Sequence, residues 1–452
     1  MASEYEIIER FVFEKMKESG IPGMSIALIK DGKVVYSKGF GFRDVEYGKP
    51  ATPETIYGIG SVTKSFTALA IMKLVEMGKL SVDDPVDKYV GINIRPKGEK
   101  IKIWHLLTHS SGIPALGYAE ALIDAIAYGE GLITPIASPE DVISFMTDAE
   151  KWAVSKPGER FFYLNEGYVL LGKIISVVSG MSYEDFVRKY ILMPLNMKRT
   201  YFRREEVQND PNVATPYVYK DGKLEKGAFP YGITADGGIL SNVMDLSRYV
   251  LMYLNEGSLD GYEVISKEYI KEMTEPRIKL PYELFGDEFY GYGLSIYPRF
   301  PIGTLIGHSG SVLVYTAYMG FIPKKKIGVI LLANASGYPL SQMGMYALMA
   351  LAGENPEKLP FVRYERTLKE LEGVYRAYKS TIMFKVKVEG GFLVLESRRR
   401  YSGMNMILVP EIVEDERVLC YTLQYGRKIY AEFIKRGDHI ELIYERYKLI
   451  KE

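Results

Sequence analysis

The chain has 452 residues, which at roughly 100–200 residues per domain predicts two to four domains rather than one compact core. Its net charge is zero, because 57 basic residues balance 57 acidic ones, and this argues against a general binder of nucleic acid or acidic lipid. A single cysteine, Cys420, excludes an internal disulfide framework and a cysteine-based zinc site.

The first residues carry charges throughout and lack the apolar centre of a signal peptide. No run reaches the ~20 apolar residues of a membrane helix, and the most apolar stretch, from Ile327 to Ala335, has the length of a strand. We therefore expect a cytoplasmic protein without a membrane partner. The scarcity of glutamine and cysteine is typical of a heat-adapted source.

The predicted elements of the first 353 residues place strands at both ends and helices between them. An amphipathic pattern over 4–18 predicts a helix, and the Asp31-Gly32 turn lies between two strand-like runs. Residues 80–250 alternate helical stretches with loops, and strand patterns return over the next hundred residues. Such a chain can close one antiparallel sheet from its two ends with a helical lobe inserted, so we predict an α+β domain over 1–353.

The pattern changes after residue 353. Two prolines and mixed charge over 354–366 predict a linker. From 367 to 452, seven or eight short alternating runs are separated by turn signals such as Glu389-Gly390-Gly391. This spacing predicts a second domain, a small antiparallel β-barrel or sandwich.

Ser61 and Lys64 form the sharpest local motif of the sequence. They are three residues apart, which on a helix puts them on one face, one turn apart. A serine nucleophile needs a base within hydrogen-bond reach, and a lysine can be that base when its pKa is lowered by burial. Backbone N–H groups at a helix N-terminus can also hold an oxyanion. The pair therefore predicts an acylated serine, although Ser-x-x-Lys alone is a weak motif.

Further segments accompany this motif in a fixed order along residues 4–340. They are LLTHSSGIP from Leu106, PGERFFYLNEGYVLLG from Pro157, GGILSNVMDLSRY from Gly237, and His308-Ser309-Gly310 on a predicted strand. Together they closely resemble the serine β-lactamase-like hydrolases of peptidase family S12. That group includes class C β-lactamases, DD-peptidases, D-aminopeptidases and CubicO-type enzymes. With the β-rich tail, the chain looks most like archaeal CubicO-type peptidases that carry a lipocalin-like C-terminal barrel, so the resemblance implies the β-lactamase/transpeptidase-like fold.

The resemblance implies roles for four residues around the nucleophile. Ser61 would be acylated, and Lys64 would be its base or proton relay. Tyr163 matches the tyrosine of the family's Tyr-x-Asn motif, which passes protons to and from the leaving group. Asn165 matches the asparagine of that motif, which binds a substrate amide.

The third motif of the family falls on His308, Ser309 and Gly310. Many β-lactamases have Lys-Thr-Gly at this position, and the backbone N–H groups of Ser61 and Ser311 would form the oxyanion hole. A histidine is only partly charged near pH 7, so His308 weakens the case for a strict requirement for a substrate carboxylate. It could instead share acid–base work with Lys64. Ser309 and Gly310 would contact substrate.

We therefore expect a serine peptidase that hydrolyses small peptides, including ones with D-amino acids, through an acyl-enzyme. The alternatives are a small-molecule esterase, a β-lactamase, or a non-catalytic protein that recognises acyl compounds or penicillin. His105 and His109 could pair on a metal, but no third ligand accompanies them, and we expect no metal or other cofactor. The expected partners are a peptide or other acyl substrate and further copies of the chain in a homo-oligomer, with no nucleic acid.

Overall fold

The structure, a computed structural model, describes residues 3–128, 138–231, 235–399 and 402–452. The chain divides into two compact units, Met1–Glu354 and Asn355–Glu452. The helices are α1 Glu4–Ser19, α2 Thr63–Glu76, α3 Ile103–Leu107, α4 Tyr118–Tyr128, α5 Pro139–Phe145, α6 Asn165–Ser179, α7 Tyr183–Val187, α8 Arg204–Val207, α9 Val243–Leu254, α10 Lys267–Met273, α11 Leu340–Leu351 and α12 Pro360–Leu371.

The strands fall into a large sheet, small two-stranded ribbons and a barrel. In chain order they are β1 Gly23–Lys30, β2 Lys33–Asp44, β3 Lys49–Pro50, β4 Tyr57–Gly58, β5 Tyr217–Lys220, β6 Lys223–Lys226, β7 Leu240–Ser241, β8 Ser258–Leu259, β9 Tyr262–Glu263, β10 Ile278–Lys279, β11 Phe289–Tyr290, β12 Ser295–Tyr297, β13 Leu305–Ser311, β14 Thr316–Ile322, β15 Ile327–Ala333, β16 Gly373–Arg376, β17 Met383–Glu389, β18 Phe392–Arg399, β19 Ser402–Val413, β20 Arg417–Gln424, β21 Arg427–Arg436, β22 His439–Tyr444 and β23 Tyr447–Lys451.

The first unit is built on a nine-stranded antiparallel sheet in the order β10-β11-β12-β13-β14-β15-β1-β2-β3. Strand β1, from the start of the chain, pairs with β15 from the end of the unit, with Met24 opposite Ala333 and Lys30 opposite Ile327. Every residue of β15 is buried, and helices α9 and α11 both pack against this strand. The prediction of one sheet closed from both ends, with helices inserted, is confirmed.

Helix α2 lies inside the helical region, with every residue from Thr63 to Met72 buried. It packs against α6, α7 and α10, and a helix covered on all sides belongs to the core rather than the surface. This burial decides the environment of Lys64, which lies in its first turn. Among the described residues, no helix combines the length and apolarity that crossing a bilayer requires.

The second unit is a closed barrel of eight antiparallel strands, β16 to β23, in chain order. It closes between its first and last strands, where Tyr375 lies opposite Lys451. Alternate residues of the strands, such as Phe384 and Val386 on β17, point into a packed interior. The predicted small barrel is confirmed, and its up-and-down connectivity is the one used by lipocalins.

Residues 354–366 differ from the irregular linker expected from their composition. Residues Pro356–Lys358 form a short 3-10 turn, and α12 begins at Pro360. Proline suits a first helical position, because its missing N–H would have no partner there. The helix continues to Leu371, whose side chain joins the core of the barrel. The division of the chain therefore falls at residue 354, and most of the expected linker belongs to the second unit.

Candidate active site

Ser61 lies in a short 3-10 turn, Gly60–Val62, that leads directly into α2. Lys64 follows in the first turn of that helix, as the three-residue spacing predicted. The Lys64 Nζ atom is 3.2 Å from the Ser61 Oγ atom. The nucleophile and its candidate base therefore stand within hydrogen-bond reach before any substrate arrives.

Two glycines allow strand β13 to pass directly over this turn. A Cβ atom on Gly310 would lie 2.0 Å from the Ile59 carbonyl oxygen and 3.0 Å from the Ser61 nitrogen. A Cβ atom on Gly60, which has a φ of +51°, would lie 2.7 Å from the Ser311 nitrogen. Because neither residue has a side chain, the backbone nitrogens of Ser61 and Ser311 come close together. Paired N–H groups of this kind suit the stabilisation of an oxyanion.

Lys64 is fully buried, and its Nζ atom has three oxygen neighbours. Besides Ser61, these are the Asn165 Oδ1 atom at 2.8 Å and the Asp236 carbonyl oxygen at 2.6 Å. The amide and carbonyl oxygens only accept hydrogen bonds, so two N–H bonds of Lys64 point to them. The third position faces Ser61, where a neutral amine presents its lone pair to the serine hydroxyl and a charged amine presents a proton.

Two opposing effects determine the pKa of Lys64: burial and the charges of nearby carboxylates. Burial lowers the pKa of Lys64 to about 8, while the charges of Asp236, Glu120 and Glu166 act in the opposite direction. Without these acids, burial would favour the neutral amine more strongly. A pKa near 8 leaves a useful neutral fraction at neutral pH and allows the amine to be reprotonated within one cycle.

Sequence reasoning missed the acidic and phenolic groups around Lys64. The Tyr118 hydroxyl donates a 2.5 Å hydrogen bond to Asp236, and the Tyr118 N–H donates to Glu166 at 3.3 Å. Burial raises the pKa of Asp236 and raises that of Glu166 to about 7. Glu166 directly follows Asn165, and Asp236 directly precedes the GGILS segment, so both adjoin recognised motifs. Neither Glu166 nor Asp236 stands out as a functional residue in the sequence, because single acidic residues are common beside motifs.

Tyr163 lies beside the Ser61–Lys64 pair, with the Lys64 Nζ atom 4.9 Å from the centroid of its ring. Burial raises the pKa of Tyr163 above its ordinary value, and hydrogen bonding with Ser61 opposes this rise. The phenol is therefore protonated at neutral pH, which suits a group that donates a proton to a leaving group.

His109 supports the segment that carries Tyr163. Its imidazole stacks on the Tyr163 ring at a centroid distance of 4.1 Å, and its Nδ1 atom accepts the Leu164 N–H at 2.9 Å. His109 has a φ of +55°, a left-handed conformation that residues other than glycine rarely adopt. This histidine therefore packs against the tyrosine and takes part in fixing the backbone of the Tyr-x-Asn motif.

His308 lies on β13 at the site, but both of its ring nitrogens bond to other groups. The Nδ1 atom bonds to the Ser309 carbonyl oxygen, which only accepts, so Nδ1 carries the hydrogen. The Nε2 atom then accepts the hydroxyl of Tyr290 at 2.8 Å. Burial and the charge of Lys64 lower the pKa of His308 to about 4. The imidazole is thus neutral at physiological pH, and an acid–base role shared with Lys64 stays a prediction.

A cavity of about 680 Å³ opens over the nucleophile. It brings together the site residues predicted from the sequence, apart from Lys64, which is buried and reaches Ser61 from within α2. The predicted residues that line the cavity are Ser61, Tyr163, Asn165, His308, Ser309, Gly310 and Ser311.

A serine and a lysine at the start of a central helix, facing a strand of a sheet closed from both ends of its unit, are the arrangement of serine β-lactamases and penicillin-binding proteins. The chain belongs to this beta-lactamase family, whose model matches residues 8–354. Residues 356–450 match a second family, the Pab87 octamerisation domain.

The chain is also similar to curated relatives over about three quarters of its length. Protein flp from Staphylococcus aureus strain MW2 is 30% identical over 345 residues, covering 72% of this chain and 62% of that protein. The chain thus spans less than two thirds of the length of that relative. A beta-lactamase from Yersinia enterocolitica is 24% identical over 364 residues, and the match covers 74% of this chain and 87% of the length of that beta-lactamase.

Among solved structures, the octameric penicillin-binding protein homologue from Pyrococcus abyssi is 57% identical, with a TM-score of 0.93. The match covers 98% of this chain and 99% of the homologue. The penicillin binding protein from Bacillus halodurans is 24% identical with a TM-score of 0.62, covering 77% of this chain and 99% of its own, and shows the fold alone.

We expect Gly310→Ala to slow acylation of Ser61 by about 10²-fold or more. The new methyl group would clash with the Ile59 carbonyl oxygen and push β13 away from the turn. The Ser311 N–H, a candidate oxyanion donor on β13, would then be displaced. The measurement is the labelling rate with a fluorophosphonate probe. Gly91→Ala is the matched control, because a Cβ atom there meets nothing within 4 Å. Equal labelling rates in the two variants would contradict this role for Gly310.

We expect the acylation rate of Ser61 to rise with pH through about 8. Lys64 is the base only when neutral, and its neutral fraction grows as pH passes its pKa of about 8. Glu166→Gln removes a charge that raises this pKa, so the midpoint of the profile should move to lower pH. Glu263→Gln, at an exposed carboxylate of β9, should leave the midpoint in place. A midpoint that rises in Glu166→Gln would refute the assignment.

Proposed function

We propose that this protein is a serine peptidase that hydrolyses small peptides, including peptides with D-amino acids, through an acyl-enzyme on Ser61. The observation that carries the proposal is the 3.2 Å contact between Ser61 and a fully buried Lys64 whose pKa is lowered to about 8. A surface lysine would be charged at neutral pH and could not accept the serine proton.

The proposed reaction has two halves. Neutral Lys64 takes the Ser61 hydroxyl proton while Oγ bonds to the substrate carbonyl carbon, and the developing oxyanion rests on the N–H groups of Ser61 and Ser311. The C–N bond then breaks, and the leaving amine takes a proton that Tyr163 passes on from Lys64. In the second half, water bonds to the acyl carbon and gives up a proton to the same relay. The ester bond to Ser61 Oγ then breaks, and the relay returns a proton to Oγ, which releases the acid and free Ser61.

The remaining predicted residues would hold the substrate. Asn165 offers its amide to a substrate amide beside the nucleophile, while its Oδ1 atom orients Lys64. Ser309 is exposed at the rim of the cavity, and Gly310 also lines the cavity, so a substrate backbone would contact both residues along β13. His308 in this site is a neutral group bonded to Tyr290, and it would stabilise the shape of the Ser309–Ser311 segment.

Three alternatives share this machinery. Esterase activity needs the same acyl-enzyme with an easier leaving group, and β-lactamase activity needs fast deacylation. A non-catalytic recognition protein would acylate Ser61 and keep the adduct. Turnover separates the recognition protein from the enzymes, because only an enzyme releases product beyond one equivalent, and the substrate that is turned over separates the enzymes from one another.

We also propose that the protein forms a homo-oligomer through its second unit. Residues 356–450 match an octamerisation domain, and the homologue from Pyrococcus abyssi is octameric. An assembly of eight copies could shield the active sites from folded proteins, which suits a peptidase that acts on small peptides.

We expect Ser61→Ala to abolish hydrolysis and Lys64→Ala to reduce it nearly as far, because the two groups act as one unit. Tyr163→Phe should lose about 10²–10⁴-fold, the usual contribution of a general acid or base. The measurement is turnover of L- and D-containing peptides, p-nitrophenyl esters and nitrocefin. Turnover that survives in Ser61→Ala would contradict the proposal. Full activity of Tyr163→Phe would mean that a group other than Tyr163 relays the proton.

We expect a chain truncated after Glu354 to lose the assembly. The truncation falls at the boundary between the two units and removes the whole barrel with α12. Light scattering of the full chain should give the mass of an oligomer, and the truncated chain should give a monomer. An unchanged subunit number after truncation would refute assembly through the barrel.

A further inference from the structure

Glu120 is a carboxylate in the active-site cavity that the proposed reaction does not use. It lies on α4, its side chain is exposed to the cavity, and its Oε1 atom accepts a hydrogen bond from the Asn165 Nδ2 atom at 3.5 Å. Its charge acts on the pKa values of both Lys64 and Tyr163. Glu120 therefore stands beside the reacting groups.

No positive charge in the described part of the cavity wall balances this carboxylate. The lining residues that carry a formal charge are Glu120, Asp124 and Asp236, and none is a lysine or an arginine. No ion pair joins Glu120 to a lysine or arginine of the described residues. Of the residues outside the described ranges, the segments 129–137 and 232–234 contain neither residue type in their sequence, and Arg400 belongs to the second unit.

Two groups near the nucleophile could have offered positive charge to a substrate, but both already bond to other groups of the protein. Lys64 donates hydrogen bonds to Asn165 and Asp236 and has no exposed surface. His308 is neutral, because its Nδ1–H bonds to a carbonyl and its Nε2 atom accepts from Tyr290. At the exposed wall of the cavity a substrate carboxylate would meet only acidic side chains, because the amine of Lys64 is buried, whereas an ammonium group would meet an available acceptor.

We propose that Glu120 is a specificity-determining residue that binds an ammonium group on the acyl half of the substrate. The substrate class is then peptides and amides with a free α-amino group on the residue whose carbonyl Ser61 attacks. In such a residue the ammonium is two bonds from the carbonyl carbon, so it stays beside Ser61 and Asn165 when the carbonyl is in place. This inference rests on the proposed peptidase function and adds that cleavage releases N-terminal residues.

The test compares two substrates that differ only in this charge, alanine p-nitroanilide and N-acetylalanine p-nitroanilide, each in its L and D forms. At pH 7 the full-length protein should show a kcat/KM about tenfold or more higher for the free amine, since a site built to bond a group rejects the analogue without it. Glu120→Gln keeps an oxygen for Asn165 but removes the charge, and should bring the ratio close to one. Glu150→Gln, outside the cavity lining, should leave the ratio unchanged.

A pH series gives a second, independent arm. The α-amino group of the substrate loses its proton near pH 8, so the ratio should fall between pH 7 and pH 9. Titration of Lys64 acts on both substrates and cancels in the ratio. In Glu120→Gln the ratio should be flat with pH.

The outcomes separate the two proposals. Equal hydrolysis of both substrates, or a preference that survives in Glu120→Gln, would overturn the role of Glu120 and leave the peptidase intact. Hydrolysis of neither substrate by protein whose Ser61 is labelled by a fluorophosphonate probe would overturn the peptidase proposal together with this inference. A preference for the acetylated amide would overturn the role of Glu120 outright.

Discussion

The site depends on the burial of one amine. Lys64 lies in the first turn of a helix that the core covers on all sides, and the interior disfavours its charged form. Two oxygens that only accept hydrogen bonds take two of its N–H bonds and leave the third position to Ser61. The protein thus holds the lysine with its remaining position toward Ser61, and the surrounding carboxylates keep its pKa near 8 rather than lower.

Close backbone packing completes the arrangement. Strand β13 can lie over the start of α2 only because Gly60 and Gly310 have no side chains at the crossing. The strand is held in turn by the antiparallel sheet, in which its residues pair with β14 from Ile306 to Ser311. The N–H groups proposed as oxyanion donors belong to a strand of a large sheet and to the start of a buried helix, so they would not have to reorganise during a reaction, which is the condition for strong electrostatic stabilisation.

The electrostatics of the cavity differ from those of a site that grips a carboxylate. His308, at the position where many β-lactamases have a lysine, is neutral and bonded to Tyr290. The charged side chains among the described lining residues are acidic. Two of these carboxylates, Glu120 and Asp236, therefore do two things: they raise the pKa of Lys64 against the effect of burial, and they bias the cavity toward a positively charged substrate group.

The sequence alone determined the features that depend on near neighbours. The spacing of Ser61 and Lys64 places them together in any helix, and the alternating runs from Gly373 onward indicate short strands. The composition of 354–366 misled, because α12 derives its stability from packing that composition does not show. Only the tertiary structure decided that Lys64 is buried, that Asp236 and Glu120 flank it, and that Tyr290 bonds His308. These contacts join residues up to 172 positions apart, and the chain can bring such residues together only by folding its sheet and helices around one core.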